Sequence, residues 1–197
     1  MMPWLVLSAS PRTHGNCECA ATGIAQALRA GGALVEQISL PAYTIAPCVA
    51  CGLCNSAPGS CSQDEAFTGR LDHAAMLLER LHKAAVVFLV SPVYFYGVPA
   101  QFKALIDRSQ RYWLQDEPLN PTGNKPAHAL ILSARVQGER IFDGSLLTLR
   151  PFLRTIGFSL THDLTMRGLD KPEALKEQPE LMMQIQNWAG EILRNTH

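Results

Sequence analysis

Short apolar runs alternate along this chain with longer segments in which apolar positions recur every three or four residues. The short runs are typical of buried strands, and the periodic segments are typical of amphipathic helices. Five strands are predicted, over residues 3–8, 33–40, 85–90, 127–132 and 158–166. Five helices are predicted, over residues 16–30, 67–81, 100–113, 144–156 and 172–195, the last with a break near Pro179. Regular alternation of strand and helix predicts a parallel sheet covered by helices on both faces.

The element order predicts one α/β domain over residues 1–197 with a flavodoxin-like, doubly wound fold. Its five-stranded parallel sheet should have the order 2-1-3-4-5, because crossovers between parallel strands are right-handed. Two segments lack periodicity. Residues 114–126 are predicted to form a polar loop, and residues 41–64 are predicted to form an insertion that carries four of the six cysteines. A long insertion of this kind is usually functional.

Composition narrows the classes of partner. The 17 Lys and Arg residues equal the 17 Asp and Glu residues, so the chain lacks the basic surface typical of nucleic-acid binding. No apolar run approaches the roughly 20 residues that span a bilayer, and no signal peptide is recognisable before the first strand. We therefore expect a cytoplasmic protein with no membrane or nucleic-acid partner. In that compartment its six cysteines should be ligands or free thiols rather than disulfides.

The first candidate binding loop joins strand one to helix one. A helix N-terminus has unpaired N–H groups and a partial positive charge, so it attracts phosphate. Ser10 adds a hydroxyl, Arg12 adds a cation, and Gly15 allows close approach of the backbone. Asn16 can cap the helix, and the main chain of Cys17 can donate to the ligand. A simple turn capped by Asn16, with no ligand, is the alternative interpretation.

The second candidate loop follows strand three and is aromatic. Pro92, Val93, Tyr94 and Phe95 lie where the apolar strand is already complete. Such rings can flank a planar heterocycle, although they can equally pack in the core or at an interface. Strand ends of a doubly wound sheet meet in one crevice, so a phosphate site and a ring site should lie together there. The two loops therefore predict an FMN site.

These two loops resemble those of a known family. Residues 9–16 are similar to the phosphate loop of the NADPH-dependent FMN reductases. Residues 91–97, with the helical segment 102–108, are similar to the second flavin loop of that family and the helix after it. The resemblance implies a flavodoxin-like fold, bound FMN, and a homodimer or homotetramer with the flavin near a subunit interface. We expect Asp107 and Arg108 to be structural or to lie at that interface.

Two positions depart from the family pattern. Cys17 stands where the family usually has Ser or Thr, and a thiol is a weaker donor than a hydroxyl. Cys17 can instead be a small packing residue, or a thiol of lowered pKa at the helix start. The third flavin loop, expected after strand four, consists of Ser133, Ala134 and Arg135, where the family is often rich in glycine.

The resemblance implies an oxidoreductase that passes electrons from NAD(P)H through FMN to a small acceptor. A quinone, free flavin, a metal ion or a nitroaromatic compound would serve as that acceptor. No catalytic side chain is assigned, because the flavin carries the electron chemistry. A non-enzymatic, flavodoxin-like electron carrier is the alternative of a different class, and the neutral composition does not favour it.

The insertion holds Cys48, Cys51, Cys54 and Cys61 with the spacing C-x2-C-x2-C-x6-C. Such runs of thiolates bind [4Fe–4S] clusters, whereas zinc sites generally use two separated cysteine pairs. Free thiols that shape the loop are a third interpretation. The motif resembles that of the iron–sulfur flavoproteins, which implies exchange of single electrons with FMN and a ferredoxin-like carrier. Because the insertion follows strand two, we expect it beside the flavin loops.

Overall fold

A five-stranded parallel sheet forms the centre of the computed structural model, which describes residues 2–113 and 125–196. Its strand order is β2-β1-β3-β4-β5, which confirms the predicted order. The strands are β1 (Trp4–Ser8), β2 (Val35–Ser39), β3 (Val86–Pro92), β4 (Lys125–Leu132) and β5 (Phe158–Met166). The α-helices of the described residues are α1 (Asn16–Ala30), α2 (Leu53–Ser56), α3 (Glu65–Thr68), α4 (Ala74–Lys83), α5 (Ala100–Arg108), α6 (Gln110–Trp113), α7 (Asp143–Thr155) and α8 (Pro179–Asn195).

The sheet separates two apolar cores, because successive side chains of a strand point to opposite faces. Leu5 and Leu7 of β1 face a core shared with α4, α5 and α7, and Val6 faces a core shared with α1 and α8. Helices α1 and α8 approach closely at Gly23, where a Cβ would overlap the side chain of Met182. Among the helices of residues 2–113 and 125–196, none is long and apolar enough to cross a membrane.

The single helix predicted over residues 67–81 is wrong. Gly69, with φ of 65°, ends α3 in the left-handed region that glycine tolerates. The carboxylate of Asp72 then accepts the N–H of Ala74 at 3.1 Å, and α4 begins there. The helix predicted over 100–113 is also divided. Ser109 closes α5, because its hydroxyl and its N–H both donate to the carbonyl of Ile106.

The C-terminal helix and the polar loop also differ from the prediction. The C-terminal helix begins at Pro179, the predicted break, because residues 172–178 form turns instead. The polar loop predicted over 114–126 falls mostly outside the described residues. Its last two residues, Lys125 and Pro126, belong to β4 and pair with β5.

His128 is an ionisable side chain buried inside the sheet core. Its ring lies 4.8 Å from that of Phe88 and 5.4 Å from that of His162, measured between centroids. Its Nε2 is buried and has no hydrogen-bond partner. Burial, together with the nearby His162, lowers the pKa of His128 to about 4. The folded protein therefore holds this imidazole neutral at pH values where an unfolded chain would protonate it.

Acidification should consequently destabilise the fold through His128. Between its unfolded pKa of about 6.5 and its folded pKa, the unfolded state binds one more proton, so stability falls as pH falls. Lowering the pH from about 7.5 to about 5.5 should remove about 1 kcal/mol of unfolding free energy through this residue. Urea unfolding at both pH values checks this. His128→Leu should show a correspondingly smaller loss, and an equal loss in both proteins would contradict the assignment.

Candidate functional site

A cleft of about 110 Å³, open to solvent, lies where β1, β3 and β4 end. This is the edge of a doubly wound sheet at which ligands bind. Nine of the twelve residues predicted to bind FMN line it. The lining residues are Ser10, Arg12, Gly15, Asn16, Cys17, Pro92, Val93, Tyr94, Leu132, Ala134, Leu169, Asp170 and Pro172. The structure therefore brings the predicted phosphate loop and most of the predicted aromatic loop to one cleft.

The end of the cleft predicted to hold a phosphate is built from the loop before α1. The buried Ser10 hydroxyl accepts the N–H of Arg12 at 3.1 Å, and the N–H of His14 donates to the carboxylate of Glu18 at 2.6 Å. No side chain caps α1, whose N-cap residue is Gly15. Uncapped N–H groups and the helix dipole favour an anion at this position. The exposed side chain of Arg12 adds a positive charge to the same wall.

The expectation that Asn16 caps the helix is wrong. Its amide Nδ2 donates to the carbonyls of Leu169 at 3.1 Å and Lys171 at 2.8 Å, and its Oδ1 accepts the N–H of Leu175 at 2.9 Å. The side chain therefore anchors the segment after β5, which forms the third wall of the cleft. Its amide donors are both used within the protein, so its main-chain N–H is the group that remains to meet a ligand.

The structure decides between the side-chain roles predicted for Cys17, whereas the role of Gly15 toward a ligand stays a prediction. A Cβ at Gly15 would lie 3.5 Å from the Cβ of Arg12, an ordinary contact, so the chain itself does not require glycine there. Cys17 is buried, and burial raises the pKa of its thiol to about 12. The thiol is therefore protonated at neutral pH, which fits the packing role and contradicts the lowered pKa.

The aromatic loop is a tight hairpin turn. The main chains of Tyr94 and Gly97 exchange two hydrogen bonds of 2.9 Å, and the two residues between them have positive φ, 49° for Phe95 and 63° for Tyr96. That conformation strains residues other than glycine. The start of α7 supports the turn, since a Cβ at Gly144 would overlap the carbonyl oxygen of Tyr96. Phe95, at the tip, is fully exposed and does not line the cleft.

The third loop contributes less than expected. Ala134 lines the cleft, whereas Ser133 and Arg135 do not. The Ser133 hydroxyl instead accepts the N–H of Arg135 at 3.1 Å, which shapes the turn after β4. Sequence reasoning missed Leu169, Asp170 and Pro172. Their position just after β5, at the same edge of the sheet, was the signal that could have identified them.

A second cavity, of about 40 Å³, lies between the insertion and helices α5 and α6. All four cysteines of the predicted cluster motif line it, namely Cys48, Cys51, Cys54 and Cys61. The chain turns around it through left-handed residues at Ala50, with φ of 52°, and Gly52, with φ of 76°. The hydroxyl of Ser62 donates to Sγ of Cys51 at 2.8 Å. That hydrogen bond lowers the pKa of the Cys51 thiol and favours the thiolate, the form that binds metals.

An ionic network holds the insertion against α5 and α6. The guanidinium of Arg108 makes two hydrogen bonds to Asp72, of 3.1 and 3.0 Å, and one of 2.6 Å to Asp64. Arg111 donates to both oxygens of Asp64, at 2.8 and 2.6 Å. Arg108 also donates to the carbonyl of Ala46 at 2.9 Å. This confirms the structural role expected of Arg108, whose side chain is completely buried.

The neighbouring Asp107 differs from Arg108. Its carboxylate pairs on the surface with Lys103, at 2.6 Å, and both side chains are more than two-fifths exposed.

Burial acts to lower the pKa of Arg111, but the hydrogen bonds and charge of Asp64 outweigh it and raise that pKa. Arg111, which lies beside the cysteines, is therefore a cation.

The cysteine cavity fits an anionic cluster. Arg108 and Arg111 line it, are only 1% and 3% exposed, and each has a buried Nε–H without a hydrogen-bond partner. A buried donor of this kind needs an acceptor. Within residues 2–113 and 125–196, no three His, Cys, Asp or Glu side chains are arranged to hold a single metal ion. Four cysteines around one cavity, with two guanidinium groups in the same wall, suit the [4Fe–4S] unit.

The cysteine cavity and the cleft are separate. Among the described residues, no residue lines both, and the cavity wall comes from α5 and α6 rather than from strand ends. The expectation that the cysteine segment lies beside the flavin loops is therefore not confirmed. The insertion follows β2, but the ionic network described above holds it against α5 and α6.

Comparison with known proteins identifies the family of this chain. The chain matches the model of the family described as NADPH-dependent FMN reductase over residues 2–159. It is 35% identical over 104 residues to an iron–sulfur flavoprotein of Methanocaldococcus jannaschii, and 31% identical over 103 residues to one of Methanosarcina thermophila. The matches cover 53% and 52% of this chain. They cover 50% of each relative, so the chain spans about half the length of the curated relatives it matches.

Solved structures confirm the flavodoxin-like fold. A flavone reductase superposes with a TM-score of 0.70 at 12% identity, covering 98% of this chain and 62% of that protein. An azoreductase from Bacillus anthracis superposes with a TM-score of 0.67 at 13% identity, covering 99% of this chain and 100% of that protein. At these identities the likeness concerns the fold alone.

Proposed function

We propose, since the chain belongs to the NADPH-dependent FMN reductase family, that it passes electrons from NAD(P)H through bound FMN to a small acceptor. The acceptor would be a quinone, free flavin, a metal ion or a nitroaromatic compound. The observation that carries this proposal is the single cleft shared by the phosphate loop and the aromatic loop. FMN, when bound, supplies the electron-transfer chemistry, so the side chains of this protein bind and orient.

Different walls of the cleft would bind different parts of FMN. Ser10, Arg12 and the main-chain N–H groups of Asn16 and Cys17 would hold the phosphate, with Gly15 leaving room beside them. The aromatic side, Pro92 to Tyr94, would flank one side of the ring, with Ala134 opposite. Phe95 stands outside the wall, where it would meet a second substrate or a neighbouring subunit. Ser133 and Arg135 would act indirectly, by shaping the turn that presents Ala134.

We also expect a homodimer or homotetramer, as the family resemblance implies. Light scattering coupled to size-exclusion chromatography measures this directly. A monomer at micromolar concentration would contradict this expectation and leave the flavin proposal standing.

Binding and turnover test the main proposal together. Purified protein should bind FMN, as followed by quenching of flavin fluorescence, and should then oxidise NADH or NADPH continuously when a quinone is added. Comparison of the two nucleotides identifies the co-substrate. Failure to bind FMN would contradict the proposal outright. FMN binding without oxidation of either NADH or NADPH would instead support an electron carrier.

The cysteine cavity favours a second candidate within the same family, an iron–sulfur flavoprotein. Cys48, Cys51, Cys54 and Cys61 would hold a [4Fe–4S] cluster, which supplies a one-electron centre. The observation that supports it is the convergence of all four cysteines on a cavity with two unpaired guanidinium donors. The protein would then exchange single electrons between the cluster and FMN, with a ferredoxin-like protein as the external carrier.

Iron and acid-labile sulfide, measured on protein purified without oxygen, test the cluster. About four irons per chain are expected. Cys51→Ser should lose them, whereas Cys19→Ser, which does not line the cavity, should keep them. One zinc per chain would favour the zinc interpretation. Metal-free protein that turns over NAD(P)H at full rate would leave the simple FMN reductase.

A further inference from the structure

We propose that the hydroxyl of Ser62 and the Nε–H groups of Arg108 and Arg111 donate hydrogen bonds to the sulfur atoms of a cluster in the cysteine cavity, and so raise its reduction potential. This inference rests on the cluster proposed above. Three side chains that are not ligands of the cluster would thus help to set its reduction potential.

Ser62 provides the donor that is already in place. Its hydroxyl donates to Sγ of Cys51 at 2.8 Å, and it follows directly after Cys61, so the motif itself holds it at the cavity wall. A thiolate bound to iron retains acceptor capacity for such a donor. Hydrogen bonds to the sulfur ligands of iron–sulfur clusters are one of the means by which proteins tune the potential.

The two arginines provide the unpaired donors. The terminal nitrogens of Arg108 are used by Asp64, Asp72 and the carbonyl of Ala46. Those of Arg111 are used by Asp64. These bonds fix both guanidinium planes at the cavity and leave each Nε–H buried and unpaired. A sulfur atom in the cavity is the acceptor that would satisfy them, since native proteins rarely leave a buried donor unpaired.

The direction of the effect follows from charge. One-electron reduction adds a negative charge to a cluster already surrounded by four thiolates. Donors that point their positive ends at sulfur stabilise the reduced form more than the oxidised form. The carboxylates of Asp64 and Asp72 balance the two guanidinium charges, so the hydrogen bonds rather than a net positive charge carry the effect.

A potentiometric titration of anaerobically purified protein tests this, with dithionite as reductant and the cluster followed by electron paramagnetic resonance. Ser62→Ala should lower the cluster potential at unchanged iron content. Ser62→Thr, which keeps the hydroxyl, should leave the potential at the wild-type value. Ser60→Ala is the matched control. Ser60 lines the same cavity, but among the described residues its hydroxyl makes no hydrogen bond to a cysteine.

Arg111→Lys extends the test, since it keeps the positive charge but removes the Nε–H donor. It should also lower the cluster potential while the FMN potential stays at its wild-type value. Unchanged potentials in iron-replete Ser62→Ala and Arg111→Lys would overturn this inference alone. Loss of iron from Ser62→Ala, with the remaining clusters at the wild-type potential, would also overturn it. Iron-free wild-type protein would overturn the proposed cluster and this inference together.

Discussion

Replacing Arg12 by alanine is expected to weaken FMN binding about 10- to 150-fold. Arg12 contributes the positive charge of the cleft wall at the uncapped start of α1, where the phosphate of FMN would lie. A charge-assisted hydrogen bond contributes about 1.5–3 kcal/mol, which corresponds to that range of dissociation constants. Isothermal titration of apoprotein with FMN measures the loss. Riboflavin, which lacks the phosphate, should bind wild-type and Arg12→Ala protein with the same affinity.

The riboflavin comparison separates a phosphate contact from a general disturbance of the loop. Arg154→Ala is the matched control, because Arg154 is an exposed arginine at the end of α7 and does not line the cleft. It should bind FMN like the wild type. Unchanged FMN affinity in Arg12→Ala would remove Arg12 from the site and leave the main chain of α1 as the principal phosphate contact.

Replacing Asp72 by alanine is expected to lower the free energy of unfolding by at least about 3 kcal/mol. Its carboxylate is almost fully buried and accepts two hydrogen bonds from Arg108, one from the N–H of Ala46 and one from that of Ala74. The variant leaves two buried guanidinium groups to share the single carboxylate of Asp64. For a chain of this size the midpoint of thermal unfolding should fall by about 6–12 °C.

Urea unfolding of wild-type and variant proteins measures this effect. Glu79→Ala is the control, because Glu79 pairs with Lys83 on the exposed face of α4, where solvent screens the pair and its contribution to stability is small. If Asp72→Ala and Glu79→Ala destabilised the protein equally, the network would contribute no more than a surface ion pair. Because Asp72 also begins α4 and fixes Ala46, we expect the insertion to lose protection from hydrogen exchange before the sheet does.

The periodic pattern predicted best where local signals and packing agree. Helix α1 has the predicted bounds, Asn16–Ala30, because its apolar face matches the sheet and Gly31 follows it. Strand β5 also has its predicted bounds, Phe158–Met166. The pattern gave a wrong prediction over residues 67–81. The carboxylate of Asp72 decides where α4 starts, and it pairs with Arg108, 36 residues further along the chain. Periodicity carries no information about such a distant partner.

The two candidate sites also combine features set by local sequence with features set by long-range packing. The sequence by itself determined the sheet order, the cleft at its carboxyl edge and the grouping of four cysteines, because strand periodicity, helix ends and ligand spacing are local. Only the tertiary structure decided that Asn16 anchors the segment after β5, and that Arg108 and Arg111 line the same cavity as the cysteines. Those roles depend on hydrogen bonds between residues distant in sequence, whose partners are determined by packing and burial.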